Sequence, residues 1–396
     1  MIWQYSVRVG KGLQAGLDGL GTYCNKLGIR VNTNKTKVMI FRKGGRIGRN
    51  DKWYYGGNRI EIVPVFKYLG CYMSTSGSFS RCTQELTNSA RRALYALKKY
   101  FSKNPEILIK TKIQLFNSIV APILFYGSEV WGLRKADHIE KFHLAFLKSI
   151  LGVKSSTPNI YVYGELGVYP LILERQVRVI KFWLKIINPF LNIGTYTRKV
   201  YEQLVELNRV DPTAVTWVSL VKNMLFRCGI GNYWVNQNVN NSEHFLSLFR
   251  QRIYDIYVQE WRGGVEITTP NRLYRHIKTN FHFESYLNIA NRSFRIAITR
   301  IRLSSHLFSI ERGRWGTLRV SIEERKCTLC EEVEDEYHCL VECPRYVNER
   351  RGCLPERLRR KPSMYEFVKF LQCVEDEQLK LGALCVKVMR KHGEYV

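Results

Sequence analysis

Thr83–Phe101 reads TQELTNSARRALYALKKYF, and its apolar residues decide the fold class. Leu86, Ala90, Leu94, Leu97 and Phe101 recur every three or four positions, the period of a helix with one face inward. Two further stripes follow at the same spacing. Ile113, Phe116, Val120 and Ile123 form one, with Pro122 expected to kink or end it. Ile139, Phe142, Phe146 and Ile150 form the other, with Gly152 as its C-terminal stop. Residues 174–188 repeat the pattern with Val177, Ile180, Leu184 and Ile187 inward. On that segment Arg178, Lys181 and Lys185 fall on another face, either a solvated surface or a nucleic-acid contact.

Before Thr83 the pattern is mixed. Leu13, Leu17, Leu20, Tyr23 and Leu27 predict a helix stopped at Gly28. Lys37–Phe41, Ile60–Val63 and Phe66–Tyr72 predict strands, with a break at Pro64 and a basic loop at Arg42–Arg46. The sequence therefore predicts a mainly α chain with a small α+β N-terminal part. Residues 1–80 form that part, 81–190 a helical domain, 191–320 a helical basic region, 321–350 a Cys/His module and 351–396 C-terminal helices. Residues 189–270 carry the weakest pattern, and Gly229–Asn241, rich in Asn and Gly, is expected to be a loop or junction.

Charge narrows the partners. Lys and Arg number 62 against 34 acids in 396 residues, a formal charge of +28. Repulsion of that size is relieved by a polyanion, and each neutralised phosphate releases a counterion. Aromatic residues make up 13% of the chain and supply rings for base stacking. Between Asn271 and Val320 ten cations face two acids: Arg272, Arg275, Lys278, Arg292, Arg295, Arg300, Arg302, Arg312, Arg314 and Arg319 against Glu284 and Glu311. Tyr274, Phe281, Phe283, Tyr286 and Trp315 interleave with them. The 11 cysteines, an odd number on a long chain, argue against a disulfide-stapled secreted domain. No apolar run is long enough to span a bilayer, and the start lacks a secretory core. An intracellular location, nucleus or cytoplasm, is expected.

Cys327-x2-Cys330-x7-His338-x4-Cys343 is the motif with the most specific chemistry. Zn²⁺ takes four N/S ligands in a tetrahedron, and two cysteines separated by two residues bite one ion from a single turn. Four protein ligands leave no open position, so the zinc would be structural. Three thiolates and a neutral His leave the site at −1, which Arg325, Lys326 and Arg345 could offset. Cys339 is an additional thiol nearby. His138, His143 and His306 have no evident partner, and Asp18, Asp51 and Asp137 are isolated, so no acid/base dyad or two-metal pair presents itself.

Several segments, in order, resemble non-LTR retrotransposon reverse transcriptases. Gly12-Leu13-Gln14, Leu27–Asn32 and Lys35–Phe41 are similar to the stretch after that family's active site. Phe66-Lys67-Tyr68-Leu69-Gly70 resembles its primer-grip hairpin, and Ala121–Gly132 its helical thumb. Arg302–His306 and the knuckle followed by Pro344 resemble its C-terminal domain. The resemblance implies an incomplete palm, a thumb and a zinc knuckle. It implies nucleic-acid contacts at Lys35, Lys37 and Lys67, and Arg42, Lys43 and Arg46 belong with them. From the helical part, Arg178, Lys181, Lys185, Arg292, Arg295, Arg300 and Arg302 are the candidates for backbone phosphates. The partners implied are RNA or DNA, with the palm and fingers or other element-encoded proteins. The family's catalytic Asp-Asp turn would end at about Met1 and Ile2, where it is absent. Mg²⁺ is therefore expected only in the intact polymerase, and this chain is expected to bind without polymerising. The alternative is a domesticated, zinc-containing helical protein that binds other proteins or nucleic acid without an enzymatic role.

Overall fold

The structure is a computed structural model that describes residues 10–42, 44–48, 51–189, 195–268, 273–314, 320–360, 362–372 and 377–395. It is mainly helical, as the spacing predicts, and it divides into two compact units, residues 1–89 and 90–396.

In the first unit α1 (Gly10–Lys26) ends before Gly28, whose φ of 64° closes the helix with a left-handed turn. Its Leu17 packs with Val38, Trp53 and Ile60 in a small core flanked by Leu13, Ile40, Tyr55 and Ile62. Three two-stranded pairings surround it. β1 (Lys37–Val38) runs parallel to β4 (Glu61–Ile62), and β2 (Tyr54–Tyr55) pairs antiparallel with β3 (Asn58–Arg59). The predicted five-residue strand at Lys37–Phe41 is thus cut to two paired residues, because its neighbour β4 offers only two partners. The predicted strand Phe66–Tyr72 is a hairpin instead: β5 (Val65–Tyr68) turns back on β6 (Cys71–Ser74). Leu69 and Gly70, at φ 45° and 87°, form the turn, a positive-φ pair whose twist matches the strands it joins.

α2 (Ser80–Lys103) contains the division between the units. The second unit continues with α3 (Ile109–Leu115), a π-helical turn at Phe116–Val120, α4 (Ala121–Leu124) and α5 (Ser128–Trp131). The helical ladder is thus broken at Pro122, as expected: a π-helical turn ends before it, and Pro122 stands at the start of α4, where its missing N–H costs least. α6 (Asp137–Leu151) ends at Gly152 with φ 71°. α7 (Asn159–Leu166) and α8 (Leu171–Ile187) follow. α8 is the spine of a core cluster in the second unit. Its Leu173, Val177, Ile180, Trp183, Leu184 and Ile187 pack with residues of α9 (Tyr196–Val210), α10 (Trp217–Arg227) and α12 (Ser242–Ile267). The segment expected as a loop at Gly229–Asn241 contains a short α11 (Gly231–Asn236), and its last residue caps α12: Asn241 Oδ1 accepts from the His244 amide at 2.9 Å. Asn there serves capping chemistry.

α13 (Tyr274–Ile277), a 3₁₀ turn at Ser285–Asn288, α14 (Arg292–Arg302) and α15 (Ser309–Arg312) lead to the Cys/His module. α16 (Val347–Arg350), α17 (Met364–Leu371) and α18 (Gln378–Lys391) close the chain. α14 lies along α18, burying Ile296, Ala297, Ile298 and Ile301 with Leu381, Leu384, Cys385, Val388 and Met389. Gly382 makes that approach possible, since a Cβ there would sit 2.6 Å from Cβ of Phe294. Among the described residues no helix is long and apolar enough to cross a membrane.

An exposed helical glycine gains about 1 kcal/mol on substitution by alanine. Gly382→Ala is expected to do the reverse and to destabilise the chain by about 1–3 kcal/mol through overpacking against Phe294. Urea unfolding of the two forms checks the sign.

Candidate metal centre and basic surfaces

The four sequence-selected ligands converge. Backbone pairing of Lys326 with Val333 and the bond from Cys327 N–H to the Glu332 carbonyl (2.8 Å) close a tight turn that carries Cys327 and Cys330. Glu331 takes a left-handed φ of 59° to complete it. Asp335 Oδ1 accepts from the His338 amide at 2.8 Å and starts the π-helical turn His338–Glu342, which delivers His338 and then Cys343. The ligand atoms of Cys327, Cys330, His338 and Cys343 all lie within 4.8 Å of one another. Cys327 Sγ and Cys330 Sγ are 3.9 and 3.7 Å from Cys343 Sγ. A tetrahedron with metal–sulfur bonds of about 2.3 Å has edges of about 3.8 Å. Neither ring nitrogen of buried His338 has a hydrogen-bond partner outside the cluster, which leaves the ring to the cluster's own chemistry.

The thiols are tuned unequally. Burial pushes the Cys343 thiol up to about 12. Burial also acts on Cys327, but N–H groups of Leu329 and Cys330 aimed at its sulfur, together with His338, bring it down to about 7. Of the three cations expected to offset the site, Arg345 interacts electrostatically with Cys327 and Cys343 and bonds Thr328 Oγ1 at 2.8 Å. Arg325 instead spends its guanidinium on the carbonyls of Val320 and Ile310. Cys339 stands outside the cluster, where burial, followed by the nearby Glu334 carboxylate, raises its thiol well above the usual range. The cluster is therefore suited to holding one metal ion in a closed, all-protein shell. Among the described residues it is the one such group of three or more ligands.

The basic candidates separate into two kinds. Lys35, Arg46 and Lys67 are exposed, Arg42 is half-buried, and Lys43 lies outside the described residues. Lys37 pairs with Glu61 at 2.5 Å. Lys67 and Arg81 both approach the Tyr72 ring, at 5.6 and 6.0 Å. Lys181 and Lys185 are exposed on α8, while Arg178 lies over Phe125 with Glu129 and Glu174 within 4.0 Å. On α14, Arg292 is exposed. Arg300 is held by Glu394 and the carbonyls of Gly152 and Tyr395, each at 2.9 Å. Arg295 is buried, donating to the Ile289 carbonyl at 2.6 Å.

Arg302 departs furthest from the expectation of a phosphate contact, because it is wholly buried. Its guanidinium holds Glu165 at 2.6 Å and Glu284 at 2.9 Å, and donates to the Leu371 carbonyl at 2.5 Å. Tyr286 OH donates to Glu165 at 2.6 Å, and Lys278 pairs with Glu284. The spacing of arginines along α14 cannot distinguish this inward residue from an outward one, since its partner carboxylate lies 137 residues away. His306, for which no partner was evident, is buried against Glu336 at 2.9 Å. His138 is exposed, and His143 packs in the core with its pKa lowered to about 3 by burial.

One basic surface stands outside the sequence-selected residues. From Arg91 to Lys103 the outer face of α2 carries Arg91, Arg92, Tyr95, Lys98, Lys99 and Lys103, all exposed, with Tyr95 74% exposed. No acid occurs between Glu85 and Glu106. Its signal lies in the same stretch that decides the fold: the charged complement of the apolar stripe beyond Glu85 is entirely basic.

Known proteins share part of this sequence. Over 139 residues, 35% of the chain, it is 25% identical to the RNA-directed DNA polymerase from mobile element jockey of Drosophila melanogaster. The chain is homologous to mobile-element RNA-directed DNA polymerases over about a third of its length. The jockey polymerase of Drosophila funebris matches at 24% over 138 residues, and a transposon-derived protein of Caenorhabditis elegans at 30% over 146 residues. The matched regions amount to 15% of each fly polymerase and 49% of the nematode protein, so the chain spans a minor part of the former and about half of the latter. No family model and no solved structure matches.

Arg302→Gln is expected to act on the fold first. Removing one partner from a buried pair strands the other charges, at a cost of about 3–5 kcal/mol. Arg302 holds the Glu165 carboxyl below its usual range despite burial, so this stabilisation is present above the unfolded-state pKa and is lost as pH falls through the lowered folded value. Denaturant melts of Arg302→Gln across the acid range should show both the loss and a flattened acid limb.

Proposed function

We propose that this chain is a nucleic-acid-binding part of a reverse-transcriptase-type protein, organised around a structural zinc knuckle and unable to polymerise by itself. The observation that carries the reading is the acid-free face of α2. Five cations and a projecting Tyr95 combine backbone neutralisation with a ring for stacking, the two elements of sequence-tolerant single-strand binding. Lys67 and Arg81 around Tyr72 repeat that combination in the first unit. Kinship with RNA-directed DNA polymerases supplies the matching substrate class, RNA or DNA.

Zinc is the ion that the ligand set favours. Three thiolates and one imidazole in a shell with tetrahedral sulfur spacing suit Zn²⁺, and four protein ligands leave no position for a reactive water. Bound there, the ion would pin the turn at Cys327–Cys330 to the His338–Cys343 turn and supply folding energy for a module with little core of its own. Catalysis of nucleotide transfer requires paired carboxylates for Mg²⁺. Asp18 accepts from the Gln14 amide and Asp51 from the Gly48 backbone, and neither belongs to a carboxylate cluster among the described residues.

Two measurements test these readings. Binding of a labelled single-stranded oligonucleotide should weaken steeply with salt, and Arg91→Gln/Arg92→Gln/Lys98→Gln/Lys99→Gln should flatten the log–log slope by roughly 0.7–0.9 for each phosphate no longer neutralised. An unchanged slope removes α2 from the interface, and primer extension with Mg²⁺ overturns the non-catalytic reading if nucleotides are incorporated. Metal analysis of the folded protein should find one zinc per chain, and Cys330→Ser should lose the ion together with local structure. Folded protein without zinc ends that assignment.

A further inference from the structure

Arg350 stands beside the Cys/His cluster, and its partners are the cluster's own backbone. It is the last residue of α16, seven positions after Cys343. A 3₁₀ turn at Pro344–Tyr346 and α16 bring it back to the π-helical turn His338–Glu342. There its guanidinium donates to the Cys343 carbonyl at 2.7 Å and to the Glu342 carbonyl at 3.3 Å. It also lines the same cleft as two of the candidate ligands, Cys330 and His338. We propose that Arg350 is a positioning residue for the metal ion, holding the Cys343 ligand in place and bringing positive charge to a shell of three thiolates. The assignment rests on the metal reading above and adds to it a residue outside the ligand set on which metal affinity depends.

Backbone and charge both support this role. The last carbonyls of a helical turn have no partner within it, and a nearby arginine is suited to take them. The Cys343 carbonyl also accepts from the Tyr346 amide at 3.1 Å, so Arg350 adds a second and charged donor. Together they hold the backbone from which Cys343 Sγ reaches Cys330 and Cys327 at 3.7 and 3.9 Å. One arm of the guanidinium makes both carbonyl bonds, and Nη1 is buried without an acceptor. Of the anionic neighbours Cys343 acts on Arg350 most strongly, followed by Glu349 and Cys339. Glu349 already takes Lys391 at 2.9 Å, which leaves the cysteines as the counter-charge for Arg350. Arg345, bonded to Thr328 between the first two ligands, approaches the shell from another side. Three thiolates and one imidazole leave a zinc shell at −1, and buried charge of that sign is favoured by fixed cations around it.

The test uses the full chain with Arg350→Gln and Arg350→Lys. The control is Arg351→Gln, at an exposed neighbour that lines the same cleft. Competition with a chromophoric chelator reads zinc affinity, and the charge-transfer bands of Co²⁺-loaded protein read the thiolate shell. Arg350→Gln should weaken zinc binding about 10–100-fold and shift the cobalt bands. Arg350→Lys should recover part of the loss, and Arg351→Gln should match the wild type. A merely structural arginine would lower the melting temperatures of the metal-free and loaded chains equally and leave affinity and bands unmoved, and that result overturns the assignment. Equal losses in Arg350→Gln and Arg351→Gln overturn it too, because only the charge of the cleft would then count. If Arg350→Gln does not fold, Arg350→Lys decides by the same readouts, and wild-type affinity and bands in that variant sink the role. A wild-type chain that binds neither zinc nor cobalt ends the metal reading itself, and the role of Arg350 with it.

Discussion

Arg302 is buried completely and grips two carboxylates from different parts of the chain, Glu165 at the end of α7 and Glu284 before the 3₁₀ turn. Lys278 joins through Glu284, which leaves two positive and two negative groups in a nearly closed interior. The Tyr286 hydroxyl donates to the Glu165 carboxylate and meets Thr299 Oγ1 on its other side, and the Leu371 carbonyl at the end of α17 takes the remaining arm of Arg302. The interior is too apolar to leave any of these groups alone, so each fixes the placement of the others. Backbone follows side chain: the Glu284 amide donates to the Glu165 carbonyl at 3.1 Å, and Leu166 bridges to Phe283. Gly167 permits that approach, with φ 58° and a would-be Cβ only 2.5 Å from the Phe283 nitrogen. α7, the segment before α14, α14 itself and α17 are thereby locked in one arrangement.

That lock explains which parts of the structure were legible. Helical period alone located α2, α6 and α8, because burial of one face is a local property of the sequence. The Cys/His cluster was legible for a related reason: Cys327 to Cys343 span only 17 residues, and the tight turns that unite them are set by neighbours. The hairpin at Leu69–Gly70 was visible through the resemblance but not through residue periodicity, which reads Phe66–Tyr72 as one strand because a leucine at φ 45° leaves little compositional mark of a turn. Arg302 and His306 were hidden because their partners, Glu165 and Glu336, are distant in sequence, and a buried salt bridge does not show in composition.

The net charge therefore needs dividing before it is used. Arg175, Arg302 and Arg300 serve the interior: the first holds Glu140 at 2.9 Å beside the Trp131 ring, and the others hold Glu165, Glu284 and Glu394. Such arginines add to the formal charge but answer nearby carboxylates, so their field is short-ranged. The cations of α2 between Arg91 and Lys103, by contrast, have no acid in their own stretch of sequence. That exposed subset lies on one helix face, whereas two of the four arginines of α14, Arg295 and Arg302, are turned inward.

The metal module is integrated with the same interior. Glu334 accepts from the Ser309 amide at 2.8 Å while its own carbonyl takes the Ile310 amide at 3.1 Å, tying the segment after Cys330 to α15. Glu336, two residues before His338, is buried against His306 and Ser304 just beyond α14. Tyr346 OH meets His392 at 2.8 Å beyond the end of α18. A metal held by His338 and Cys343 would therefore also restrain Glu336 and Tyr346, and with them the carboxyl ends of α14 and α18. Ion binding at a 17-residue turn would then couple to burial of a helix pair, giving a small closed shell influence over a region many times its size.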